Sequence, residues 1–281
     1  MKILVTGAKG MLGTDLCEIL AGEHEVVGVD LEDFDITDEA ATREAVVGSH
    51  PELVVHTAAW TDVDGCEREP ARAFAQNGRG TSHVAAAAAE VGATLVYLST
   101  DFVFDGSKGE AYTEFDPPNP LNAYGASKLA GEEAVRQLAP RHFIVRTAWL
   151  YGRHGKNFVQ SILKAAEGKD ELRVVADQFG SPTYSRDLAQ ALLDYVVSGP
   201  LLPGTHHLVN SGVCSWAELA EEALRAAGSS TRVQPIPAAE WPSPTRRPSY
   251  SVLRSRWMEL QALAPLRDWR EAVRSYVKEI V

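Results

Sequence analysis

The sequence predicts an α/β fold: a doubly wound parallel sheet with a smaller C-terminal α/β lobe. Three observations lead there. Over the first 150 residues short β-branched runs alternate with longer helical stretches, the pattern of strands joined by crossover helices. The first such run feeds directly into a glycine-rich turn. Beyond residue 150 the spacing changes and Pro-rich stretches interrupt it, chiefly residues 235–248, which marks a second unit packed on the first.

Taken in order, strands are expected at residues 2–6, 25–29, 53–56, 94–98 and 143–146. Thr37, followed by Asp38 and Glu39, reads as an N-cap with an acidic first turn, opening a helix that Pro51 closes. The clearest helix is 71–90, where the small side chains of Ala85 to Ala89 suit close packing on a sheet and Gly92 follows as a stop. In the second half, helices are expected at 158–167, 187–197, 216–227 and 269–280, and strands at 172–175, 207–209 and 233–236. Residues 1–150 thus read as a dinucleotide-binding domain. Residues 151–281 read mainly as a substrate-binding lobe, with some segments returning to the first domain.

Composition narrows the partners. The 281 residues carry 27 Lys and Arg against 38 Asp and Glu, a formal net charge of -11 and a pI near 5.2. Nonspecific attraction to nucleic acid or to an anionic membrane is therefore disfavoured, and any anionic ligand needs locally placed donors. Apolar runs stop well short of the roughly 20 residues of a membrane span, and a strand-like segment stands where a signal peptide would, so the expected location is the cytoplasm. Cys17, Cys66 and Cys214 are odd in number and far apart, which suits reduced structural thiols rather than disulfides or zinc.

Two motifs carry chemistry. In Thr6-Gly7-Ala8-Lys9-Gly10-Met11-Leu12-Gly13 three glycines stand where strand passes into helix. Such a turn lets backbone N–H groups approach a pyrophosphate at a helix N-terminus, and Asp30, closing the second strand, suits the adenosine ribose hydroxyls. The fold is then of the Rossmann type. In Tyr124-Gly125-Ala126-Ser127-Lys128 a phenol and an ammonium share a helix face, and the lysine is expected to lower the tyrosine pKa for proton transfer. Thr100 ends the strand-like Leu95-Val96-Tyr97-Leu98-Ser99-Thr100 at the carboxyl edge, where it can donate to a carbonyl that Tyr124 protonates. His206 and His207 are neighbours on a strand, point to opposite faces and suggest no shared metal.

The G-x-x-G-x-x-G spacing with this Tyr and Lys resembles the extended short-chain dehydrogenase/reductases. Six blocks sharpen the resemblance to the dTDP-4-dehydrorhamnose reductase family. They are Ala-Ala-Trp-Thr-Asp-Val-Asp at 58–64 with Glu67 and Pro70, Ser-Thr-Asp-Phe-Val-Phe-Asp-Gly at 99–106, residues 120–132 around Tyr124 and Lys128, Arg-Thr-Ala-Trp-Leu-Tyr-Gly at 146–152, Asp-Gln-Phe-Gly-Ser-Pro-Thr at 177–183, and Arg246-Arg247-Pro248. The resemblance implies NADPH- or NADH-dependent reduction of the C4 ketone of a dTDP-linked 6-deoxyhexose. Tyr124 would supply the proton, Lys128 would lower its pKa and bind the nicotinamide ribose, and Thr100 would polarise the carbonyl. The cofactor wall would comprise Gly7, Lys9, Gly10, Met11, Leu12, Asp30, Asp35, Ile36, Ala58 and Ala59, together with Tyr124 and Lys128, and Asn77 would support the hydroxyls. The dTDP-sugar would meet Val63, Asp101, Val103, Trp149, the loop from Gln178 to Thr183, and Arg247, besides Thr100 and Tyr124.

Phe102 stands where many relatives have Tyr, and it leaves Asp101 without the second acidic neighbour that related dehydratases use for elimination. Some relatives dimerise through a magnesium ion; Asp15 and Glu279 align with two of its carboxylates, but Arg186 takes the third position, so magnesium is not predicted. The expected assembly is a monomer or homodimer. Open alternatives are a reductase yielding the C4 epimer and a noncatalytic nucleotide-binding regulatory subunit.

Overall fold

The computed structural model describes residues 1–241 and 243–281; Pro242, in the Pro-rich stretch, lies outside the described residues. Five strands, β1 (Lys2–Thr6), β2 (Glu25–Val29), β3 (Leu53–His56), β4 (Thr94–Thr100) and β5 (His142–Thr147), pair in parallel with a sixth, Gly204–His207, at the edge. The spatial order is Gly204–His207, β5, β4, β3, β1, β2. Strand order reverses at β1: β2 is added on one side of it and β3 to β5 on the other, so a crevice opens outside the carboxyl ends of β1 and β3, where doubly wound sheets hold ligands.

The connecting helices are α1 (Met11–Leu20), α2 (Glu39–Ser49), α3 (Val63–Arg68), α4 (Pro70–Ala73), α5 (Thr81–Glu90) and α6 (Ala123–Leu138). The predicted 71–90 helix is one continuous run in which Phe74–Gly80 winds to π-helical spacing between α4 and α5. The second helix starts one residue later than expected, because Asp38 rather than Thr37 accepts from a first-turn amide, Ala41 N, at 3.1 Å.

One face of the sheet buries Leu12, Leu16 and Leu20 of α1 with Leu188, Leu192 and Val196. The other buries Val46, Val84 to Ala88 except the exposed Ala86, and Val135 against Leu4, Val54, Leu95 and Ile144. Strand residues alternate between these cores, which is what a sheet covered on both faces demands.

The second half adds α7 (Phe158–Ala166), α8 (Ser185–Ala191), α9 (Trp216–Ala226), α10 (Arg256–Leu260) and α11 (Trp269–Ile280). Here α8 begins two residues before the predicted 187, and its run continues through the wider-wound Leu192–Val197. Short strands Glu171–Val175 and Arg232–Ile236 pair in parallel. The strand expected at 207–209 lies instead at Gly204–His207, the stretch that pairs with Phe143 to Arg146 on β5. Aromatic side chains Tyr151, Tyr184, Trp269 and Tyr276 form the core of this lobe.

Candidate active site

A cleft of about 920 Å³ runs along the carboxyl edge of the sheet. At one end lies the glycine turn. Gly7 has φ +72°, and a Cβ on it would lie 2.7 Å from Ala58 N, too close for any side chain. A Cβ on Gly13 would collide with the Gly7 carbonyl, so the helix can press on the turn only with glycine there. Gly10 caps α1 without a side-chain bond, leaving first-turn N–H groups directed outward. These residues form a cradle shaped for a dinucleotide diphosphate.

Asp30, just beyond β2, accepts from Lys9 N and Leu31 N, each at 2.8 Å. Lys9 lies beside it. Its ammonium is ion-paired with Glu32 in solvent, because the turn after Asp30 brings that carboxylate alongside.

The opposite end carries the reactive hydroxyls. Asn122 caps α6 by accepting from Gly125 N at 2.9 Å and also donates to the Arg246 carbonyl at 2.9 Å, which fixes the start of the helix. Gly125 lets α6 press onto the turn after β4, since a Cβ there would collide with the Phe102 carbonyl. Tyr124 is thereby brought to the Thr100 hydroxyl. Its ring meets Phe102 edge-on, centroids 5.8 Å apart. Thr100 donates to Asp101 Oδ1 at 3.0 Å and accepts from Phe102 N at 3.2 Å, while Ser251 donates to Asp101 Oδ2 at 2.5 Å.

Burial dominates the protonation of these groups. It pushes the Tyr124 phenol well above its usual range, a rise opposed by the Thr100 hydrogen bond and reinforced by Asp101. Burial also lowers Lys128 to about 7, against the pull of Glu132. The expectation that Lys128 depresses Tyr124 is therefore corrected: the phenol is half-buried in the cleft wall, and the buried Lys128 ammonium lies 4.2 Å from the centroid of the Tyr97 ring. Asp101 rises to about 6, again through burial, with the Ser251 and Thr100 bonds opposing.

Gly7, Lys9, Gly10, Met11, Leu12, Asp30, Asp35, Ile36, Ala58, Ala59, Val63, Thr100, Asp101, Tyr124, Lys128, Trp149 and Arg247 all line this one cleft. Two expected sugar contacts do not. Val103 is fully buried with Phe104, Tyr112, Ala148 and Leu253, because its short helical turn directs it into the core. Gln178 lies outside the lining, and its loop sits behind Trp149, so that a Cβ on Gly180 would collide with the indole. Asn77 is buried and braces the site indirectly: it accepts from Trp60 N at 2.8 Å and donates to Trp60 O and Ser127 Oγ, each at 3.0 Å.

Arg247 reaches Asp64 at 3.5 Å, and its Nε has no partner among the described residues. The C-terminal lobe contributes Lys156, Phe158 and Trp216, which sequence reasoning missed. Trp149, at φ +46°, stacks on Trp216 with centroids 3.5 Å apart and planes 5° apart. The only local signal was the Ser215-to-Glu218 capping box, which starts α9 but says nothing of what Trp216 faces.

Asp15 accepts from Ser185, Glu279 accepts from Tyr184 at 2.9 Å, and Arg186 lies 3.7 Å from Glu18. Among the described residues no three His, Cys, Asp or Glu converge as metal ligands. His206 bonds the Leu202 carbonyl, whereas His207 faces the Tyr112 and Arg254 carbonyls.

The family model for the RmlD substrate binding domain matches residues 1–281. The chain belongs to the dTDP-4-dehydrorhamnose reductase family. It is 45% identical to the dTDP-4-dehydrorhamnose reductase of Streptomyces griseus, over 96% of this chain and 91% of that one. A crystal structure of the family from Clostridium acetobutylicum superposes with TM-score 0.96 at 42% identity, covering 100% of this chain and 99% of that one. Another, the Bacillus anthracis dTDP-4-dehydrorhamnose reductase in complex with NADP, has TM-score 0.95 at 39% identity over 99% of both chains. For this family member, then, the fold agrees with its relatives over nearly all of the residues compared.

Proposed function

We propose that this protein reduces the C4 ketone of dTDP-4-dehydro-L-rhamnose to dTDP-L-rhamnose, using NADPH or NADH. The observation that carries the reading is that the Thr100 and Tyr124 hydroxyls meet in the same cleft as the glycine cradle and Asp30. A bound nicotinamide dinucleotide supplies the hydride. Gly7, Gly10 and the first turn of α1 hold its diphosphate, and Asp30 accepts from its adenosine ribose. Residues 1–150 thus serve the cofactor, and residues 151–281 mainly serve the sugar nucleotide.

As negative charge develops on the C4 oxygen, Tyr124 gives it the proton that burial has kept on the phenol. Thr100 orients that oxygen once its hydroxyl turns to it from Asp101, which Ser251 holds in place. Lys128, titrating near neutrality, binds the nicotinamide ribose. Arg247 takes the dTDP diphosphate, Val63 packs beside it, and the Trp149–Trp216 pair walls the sugar. The reading places the enzyme in the cytoplasm as a monomer or homodimer; among the described residues no helix is long and apolar enough to cross a membrane.

The test supplies enzymatically prepared dTDP-4-dehydro-L-rhamnose, follows NADPH and NADH absorbance, and identifies the product by NMR. Cofactor oxidation yielding the rhamnose supports the proposal. A 6-deoxytalose product replaces it with the C4-epimer reductase, and no turnover with intact nucleotide binding replaces it with a regulatory subunit.

A further inference from the structure

Lys128 is only 3% exposed, and its ammonium sits over the ring of Tyr97 at 4.2 Å from the centroid. Tyr97, fully buried on β4 three residues before Thr100, is clamped from several sides. Its hydroxyl donates to the Lys128 carbonyl at 3.2 Å, and its ring stacks on His56 of β3, centroids 5.7 Å apart. Gly131 leaves space for that hydroxyl, since a Cβ there would collide with it. Leucine would fill a core position at lower cost, because a buried phenol needs a partner of its own. Here that partner is the helical turn that carries Lys128.

We propose that Tyr97 is a positioning residue for Lys128: its ring face keeps the buried ammonium charged, and its hydroxyl pins the surrounding turn of α6 against β4. The inference rests on the role given to Lys128 above.

Among the described residues, the other groups facing Lys128 are either occupied or neutral. Glu132, one turn along α6, is the carboxylate in reach, but it already accepts from Arg146 Nε and Nη2 at 2.8 and 2.7 Å, from Arg136 at 2.7 Å and from Ser99 at 2.6 Å. His56 is held neutral, its pKa lowered to about 3 by burial and by Lys128 itself. Cys66 on α3 is raised to about 11, chiefly by burial, and remains a thiol. Tyr124 and Tyr97 are likewise neutral phenols, raised by burial. A desolvated ammonium over an aromatic face gains most where other partners are absent or occupied. Loss of the face therefore lowers the lysine pKa.

The experiment titrates Lys128 directly, by NMR of lysine Cε–Nζ correlations in isotope-labelled full-length protein, with the signal assigned by its absence in Lys128→Met. Tyr97→Phe, which keeps the ring, should retain the wild-type midpoint. Tyr97→Leu should lower it by about one pH unit, a tenfold change in ionisation constant. The limb of the kcat/KM profile governed by Lys128 should move with it. Tyr97→Met replaces Tyr97→Leu should the latter not fold. A folded Leu or Met variant with a wild-type midpoint overturns the proposal, as does a Phe variant that shifts as far as Leu. The titration needs no turnover, so a wild-type protein inert toward the dTDP-sugar would sink the proposed function while leaving this result readable.

Discussion

Thr100 donates its one hydroxyl proton to Asp101 at 3.0 Å, while the Asp101 carboxyl is itself held by Ser251 at 2.5 Å. Thr100 cannot donate to Asp101 and to a substrate carbonyl at once. The phenol of Tyr124, kept protonated by burial, is therefore the proton the site has ready.

Tyr124→Phe deletes that proton and keeps the ring against Phe102. Turnover should fall by roughly 10² to 10⁴-fold in kcat, the usual contribution of a positioned general acid, with circular dichroism unchanged. Near-native kcat in a folded variant would remove Tyr124 from this role.

Asp101 also predicts a pH dependence of stability. Its folded-state pKa of about 6 lies above the usual 3.8, so folding favours the protonated acid. Its contribution is fully present below pH ~4 and is lost as pH rises through about 6. At about 1.4 kcal/mol per pH unit, the loss amounts to ~3 kcal/mol. Asp101→Asn, uncharged and nearly isosteric, should gain stability relative to wild type at pH 8 but not at pH 4, as read by urea unfolding. An equal difference at both pH values would contradict this.

Arg247→Ala should weaken the dTDP-sugar roughly tenfold or more and leave the dinucleotide unaffected, since a charge-assisted hydrogen bond contributes about 1.5 to 3 kcal/mol. The resting contact to Asp64 is long, at 3.5 Å, and leaves Nε without a partner among the described residues, so little is lost on switching to a diphosphate. Calorimetry with each ligand decides it, and unchanged sugar-nucleotide affinity would place Arg247 outside the site.

Cofactor choice turns on Asp30 and on the Lys9–Glu32 pair. Asp30→Ala should raise kcat/KM for NADPH relative to NADH by relieving repulsion of the 2′-phosphate. Glu32→Gln should act in the same direction by releasing Lys9. With Lys9 already paired in solvent, Lys9→Ala should change the ratio by less than about tenfold. A larger collapse of NADPH use in Lys9→Ala would mean that the lysine leaves Glu32 for the phosphate.

Short-range features were legible in the sequence. Strands β1, β2 and β3 begin and end where the β-branched runs do, because alternation within a few residues already dictates which side chains each face buries. β5 runs one residue past its expected bounds at each end, since His142 and Thr147 pair with Leu95 and Thr100, partners more than 40 residues away.

The sequence by itself determined the glycine cradle, Asp30 and the Tyr124–Lys128 helix face, for each depends on a local turn or on one helical repeat. Tertiary structure decided the rest. It sent Val103 into the core, set the loop of Gln178 behind Trp149, and stacked Trp149 on a Trp216 that lies 67 positions later. It also determined protonation: Lys128 was expected to lower Tyr124, yet burial raises the half-buried phenol, and the buried ammonium rests on Tyr97 from another element. Burial and long-range packing are sums over distant segments, and no window of local periodicity contains them.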